Sequence, residues 1–177
     1  MSPRVVLIGP PGSGKTTIGT RLAHALDTHV VDSDDLIAQR FDKPCGTVLS
    51  DLGEAEFRRV EEEAVEQALA TEGVVSLGGG AVLSPATQRR LMDHVVVYLR
   101  VSVEEGVRRT AGDNSRPLLN VPDPEATYRR LLDERAELYE SAANYRVHSD
   151  GKDPQRVVTD ILHFIDDVES ERRQVMM

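Results

Sequence analysis

Tryptophan is absent from this sequence, cysteine occurs once, and lysine occurs three times against eighteen arginines, so each lysine can be weighed singly. The lone thiol, Cys45, cannot build an intrachain disulfide framework; it suits a reducing compartment and reads as a packed side chain. Excess positive charge is missing as well. A formal net charge of -9 and a pI near 5.0 leave no broad cationic face for nucleic acid or an anionic membrane surface. No apolar run approaches the roughly 20 residues that span a bilayer. The first such run, "VVLIG", is shorter than the apolar region of a signal peptide. With no repeat, no low-complexity tract, no heptad and no apolar surface stripe, the expectation is a cytoplasmic monomer whose partners are small molecules, not nucleic acid or membrane.

What is present is an alternation. Short runs rich in Val and Ile at Val5 to Ile8, His29 to Val31, Val74 to Leu77, Val95 to Leu99 and Tyr145 to Val147 predict five strands. Helical spacing predicts helices over Lys15 to Leu26, Asp34 to Arg40, Glu54 to Ala70, Pro85 to Met92, Val103 to Thr110, Pro124 to Ala143 and Pro154 to Val168. Strands alternating with helices imply one α/β domain, a five-stranded parallel sheet with helices on both faces. The segment Ala111 to Glu125, rich in Gly, Asp, Asn and Pro, is the expected mobile lid at about residues 111–124, and residues 169–177 form a charged tail expected to be frayed.

The one lysine in a motif is Lys15. "GPPGSGKT", Gly9 to Thr16, follows a strand and opens a helix, the context a phosphate-binding loop requires. Its glycines let backbone N–H groups turn toward phosphate oxygens, Lys15 reaches the β- and γ-phosphates, and the Thr16 hydroxyl suits Mg²⁺. A guanine-nucleotide switch would also carry Asn-Lys-x-Asp and Asp-x-x-Gly, and neither occurs. A small-molecule kinase is the simplest reading. The metal-side carboxylate is sought in "HVVDSDD", where Asp32 and Asp34 would point the same way in an extended segment. Asp32 is assigned to hydrated Mg²⁺, Asp34 to the acceptor hydroxyl as orienting group or base, and Asp35 to a helix N-cap. Arg116 in "SRPLL" can be delivered by the lid to the transferred phosphoryl group. Arg58 and Arg59 cannot be separated by spacing, Arg58 having Glu54 and Glu62 one turn away, and Arg135 is ambiguous.

A second glycine run, Gly78, Gly79 and Gly80 in "VVSLGGGAVLSP", has no charged neighbour and ends in Ala81 and Val82. It reads as the floor of the second substrate's pocket, its backbone N–H groups open to a neutral or carboxylate-bearing acceptor, or else as a tight turn where no side chain fits.

Taken in order, "GPPGSGKTT", "DSDDLIAQR", "GEAEFRRVEE", "SLGGGAV" and "RPLL" make the chain resemble the shikimate kinase family, within the nucleoside-monophosphate-kinase-like P-loop group, from about Arg4 to Phe164. The resemblance implies transfer of the γ-phosphoryl group of ATP to the 3-hydroxyl of shikimate, on the way to chorismate and the aromatic amino acids. It implies that Gly12, Ser13, Gly14, Lys15, Thr16 and Thr17 hold ATP phosphates, with Thr16 on Mg²⁺, and that Asp34 meets the shikimate hydroxyls. It selects Arg58 over Arg59, adds Arg135 beside it on the substrate carboxylate, makes Arg116 the lid arginine and sets Arg109 against adenine. Lys152 stands where relatives often have an arginine near adenine, and Leu49 where some have an aromatic. A gluconate kinase and a nucleotide-binding module without turnover are the competing readings.

Overall fold

The computed structural model describes residues 1–111 and 121–177. Strands β1 (Pro3–Ile8), β2 (Val30–Asp32), β3 (Gly73–Ser76), β4 (Val96–Arg100) and β5 (Tyr145–His148) pair in parallel in the order β2-β3-β1-β4-β5. Because side chains alternate along a strand, β1 feeds two cores. Val5 and Leu7 pack with Val97 and Leu99 against α1 (Lys15–Ala25) and α8 (Pro154–Val175), which contribute Ile18, Leu22, Val158 and Ile161. Val6 and Ile8 face the opposite layer, formed by α4 (Glu54–Leu69), α5 (Pro85–Leu91) and α7 (Pro124–Ala142) through Val65, Leu91 and Tyr139. The expected parallel sheet with helices on both faces is therefore observed.

The remaining helices shape the rim above the strand ends. Helices α2 (Ser33–Phe41) and α3 (Cys45–Leu52) close with α4 around Ile37, Val48 and Phe57. Helix α6 (Val103–Thr110) lies against α7, where Gly106 leaves space for the Tyr128 ring; a Cβ there would occupy the same volume.

Three expectations change. Helix α3 adds to the expected elements: Cys45, Val48, Leu49 and Leu52 follow the i, i+3, i+4, i+7 spacing of one packed face. The tail does not fray at Val168: α8 continues to Val175, with Glu169 accepting from Arg4 at 2.8 Å. Finally, β2 ends at Asp32 and α2 begins at once, so Asp34 is helical rather than extended.

Candidate active site

At the carboxyl end of the central strand β1 the chain turns through Gly9 to Gly14. Gly12 (φ 78°) and Gly14 (φ 98°) adopt the left-handed conformation that side chains disfavour. Helix α1 then starts with no side-chain cap and no acid in its first turn, which leaves its leading N–H groups to an anion. The Lys15 ammonium folds over the loop, donating to the carbonyls of Gly9 (2.7 Å) and Pro10 (3.0 Å). Thr16 and Thr17 are exposed and open into different cavities.

Thr17 opens toward a cavity of about 240 Å³ lined also by Ser13, Gly14, Arg109, Lys152 and Pro154. Arg109 is held there by four hydrogen bonds: to Glu105, to the Gly12 carbonyl, and to the Ser149 hydroxyl and carbonyl. Its guanidinium thus ties the glycine loop to the segment after β5. Lys152 lies 3.6 Å from Asp160. Arg116, with most of the expected lid, falls outside the described residues.

Thr16 opens toward the other side, a cavity of about 370 Å³ that also receives Asp32, Asp34, Asp35 and Leu49. Asp32 Oδ1 accepts the Asp34 N–H at 2.8 Å, so Asp32 is the N-cap of α2, and the capping role expected of Asp35 is corrected. Although Asp34 is helical, Asp32 and Asp34 still reach the same cavity. The Cys45 thiol donates to Asp34 Oδ1 at 3.5 Å, and burial together with the Asp34 charge pushes its pKa up, so it is a hydrogen-bonded neutral thiol.

The same cavity is lined by two arginines and one further acid, Arg58, Arg135 and Glu61. Arg58, on α4, points inward and donates to Glu61 at 2.8 Å and to Glu54 at 3.5 Å, whereas Arg59 points out, its side chain 75% exposed. The anticipated Glu62 partner instead accepts from Ser84. Arg135 reaches the cavity from α7 and is 4% exposed. The Nε atoms of Arg58 and Arg135 are buried without a hydrogen-bond acceptor among the described residues, an arrangement suited to an incoming anion. Glu61, absent from the sequence expectations, is 3% exposed; burial lifts its carboxyl to about 7, with Asp34 adding to the rise and Arg58 and Arg135 opposing it. Its position one turn from Arg58 was the available signal.

The glycine run has a sharper explanation than either reading made from sequence. The Gly78 N–H donates to Ser33 Oγ at 2.9 Å and is not open to a ligand. A Cβ on Gly78 would run into the Asp34 carboxylate, and one on Gly80 into the Arg58 guanidinium, while one on Gly79 would sit 3.1 Å from Pro11 Cδ. Gly79 and Gly80 line the cavity, and the Tyr139 hydroxyl donates to the Gly79 carbonyl. The run is glycine chiefly because two charged side chains lie against it.

One phosphate loop serving two cavities is what transfer of a phosphoryl group between two bound molecules requires, and on this fold it defines a P-loop small-molecule kinase. A family model described as "Shikimate kinase" matches residues 11–166. The chain belongs to the shikimate kinase family. It is 55% identical to a shikimate kinase of Corynebacterium jeikeium, covering 97% of this chain and 93% of the relative. To that of Corynebacterium diphtheriae it is 56% identical, covering 93% and 95%. A solved structure of shikimate kinase from Acinetobacter baumannii in complex with shikimate superposes with a TM-score of 0.89 at 32% identity, covering 94% of each chain. Among the described residues, no helix is long and apolar enough to cross a membrane.

Proposed function

We propose that this chain transfers the γ-phosphoryl group of ATP to the 3-hydroxyl of shikimate, giving shikimate 3-phosphate and ADP, as a monomer in the cytoplasm. The observation that carries this reading is that Arg58 and Arg135 line the same cavity as Asp34 and the phosphate-loop residue Thr16. Their free Nε positions suit the acceptor's carboxylate, and fixing that carboxylate turns the ring hydroxyls toward Asp34.

Gly12, Ser13, Gly14 and Thr17 cradle the nucleotide phosphates, Arg109 and Lys152 border the base, and the Lys15 ammonium exchanges its loop carbonyls for phosphate oxygens. Asp34 orients the acceptor hydroxyl and takes its proton as the new P–O bond forms. Arg116 neutralises charge on the moving group when its segment, the lid of a single domain, closes. The Thr16 hydroxyl and the Asp32 carboxylate fit Mg²⁺: both are hard oxygen donors on the loop side of one cavity, and capping α2 engages only one of Asp32's oxygens. Held by Thr16 and Asp32, Mg²⁺ would supply charge neutralisation for the nucleotide phosphates.

A coupled ADP-release assay with shikimate, gluconate and nucleoside monophosphates supplied separately tests the reading. ADP release that requires shikimate supports it, and release that never depends on an acceptor overturns it.

A further inference from the structure

We propose that Glu61 sets the charge of the acceptor's anion subsite, so that it admits a monocarboxylate and turns away a dianion such as sulfate or a phosphate monoester. The inference rests on reading Arg58 and Arg135 as that subsite.

Three charged side chains meet in this cavity, Glu61 and Arg135 buried and Arg58 half-buried. Arg58 and Arg135 bring two positive charges and Glu61 one negative, the Glu61 carboxylate lying 2.8 Å from Arg58 Nη1. Within this trio a single carboxylate docking on the arginines brings the sum to zero and a dianion leaves one negative charge in excess, and the Asp34 carboxylate in the same cavity adds to that repulsion. With Glu61 neutral one of the repelling charges is gone, so a dianion is penalised less. Glu61 therefore acts by repulsion, which discriminates between ligands that both satisfy the arginines.

The surroundings of Glu61 make the rule sensitive to pH. It is faced by Arg58 on its own helix, by Arg135 and the Tyr139 phenol from α7, by Asp34 from α2 and by the Cys45 thiol from α3. Burial is the largest influence and favours the neutral acid. Lowering the pH through neutrality converts the subsite toward its dianion-accepting form.

Sulfate is the probe, because it stays doubly charged throughout this range. The protein is saturated with a non-hydrolysable ATP analogue and Mg²⁺ to occupy the phosphate loop, and sulfate is titrated calorimetrically at constant ionic strength. Wild-type protein should bind sulfate weakly at about pH 8.5 and roughly tenfold more tightly at about pH 5.5. Glu61→Gln should bind it tightly at both, Glu61→Asp should keep the wild-type pattern, and adding Arg135→Ala to Glu61→Gln should remove the gain. The proposal is overturned if Glu61→Gln binds sulfate no more tightly than wild type at the higher pH. It is also overturned if Glu61→Asp behaves like Glu61→Gln, which would make packing and not charge responsible. Failure of the shikimate reading looks different: shikimate neither displaces the sulfate nor supports ADP release, while the dependence of sulfate binding on residue 61 persists.

Discussion

On the proposed reading Asp34 and Arg58 are the side chains that hold the acceptor, and the glycines against them make that role measurable. Asp34→Asn should leave nucleotide affinity within about twofold of wild type and lower turnover by about two orders of magnitude, the usual contribution of a positioned base; steady-state kinetics with each substrate varied decides it. Arg58→Ala should raise the KM for shikimate about 10- to 100-fold, because it leaves the acceptor's carboxylate underpaired, with little change in the KM for ATP. Gly80→Ala should approach that loss, since its methyl group would displace the Arg58 guanidinium, whereas Gly79→Ala meets Pro11 at 3.1 Å and the Gly9 carbonyl at 3.5 Å and should be milder. If Gly79→Ala were the more damaging, the close fit of Arg58 over Gly80 would not be what matters. Sequence alone read these glycines as a pocket floor or as a turn where no side chain fits; Gly79 and Gly80 line the cavity and the lack of room is observed, and what the sequence could not name is the side chains that take the space. That the side chains pressed on them are Asp34 and Arg58 depends on folding that joins residues 44 and 22 positions away.

Among the helices, α7 has the most concentrated role. Tyr128, Leu131, Arg135 and Tyr139 recur at spacings of three or four residues and form one stripe. Along it the Tyr128 hydroxyl donates to the Pro11 carbonyl at 2.6 Å, Leu131 and Arg135 line the acceptor cavity, and Tyr139 holds Gly79. The stripe thus touches both glycine loops. Tyr128→Phe removes one hydrogen bond at the phosphate loop and should cost about 1 kcal/mol of stability, with a rise in the KM for ATP larger than that for shikimate. Denaturant unfolding and kinetics on the same preparation check both parts. The existence of α7 was legible from its apolar spacing, and its division of labour was not, because the loops it contacts lie up to 117 residues away. Helix α3 is absent from the expected elements for a different reason: its apolar pattern is only eight residues long and makes sense only once α2 and α4 supply the other sides of the cluster.

For the molecule as a whole, Glu61 couples the site to stability. Its carboxyl titrates near 7 when folded against 4.5 as the ordinary value, so between these pH values the folded chain holds the extra proton. Stability falls as pH rises through that window and levels off above it, by an amount on the order of 3 kcal/mol for this group. Wild-type protein should lose this stability between pH 4.5 and about 7 relative to Glu61→Gln, measured as the difference in unfolding free energy at each pH. A difference that does not vary with pH would remove Glu61 as the source.

The strand order carries one more consequence. With β1 central, the turn after it and the start of α1 line both cavities, Pro11 and Thr16 that of Arg58 and Arg135, Ser13, Gly14 and Thr17 that of Arg109 and Lys152. Two weak ligands, one for each cavity, could be joined across that turn by a short tether. Binding of the first would then raise the effective concentration of the second to about the millimolar range, so that selectivity would come from the distance between the pockets as much as from the chemistry inside either one.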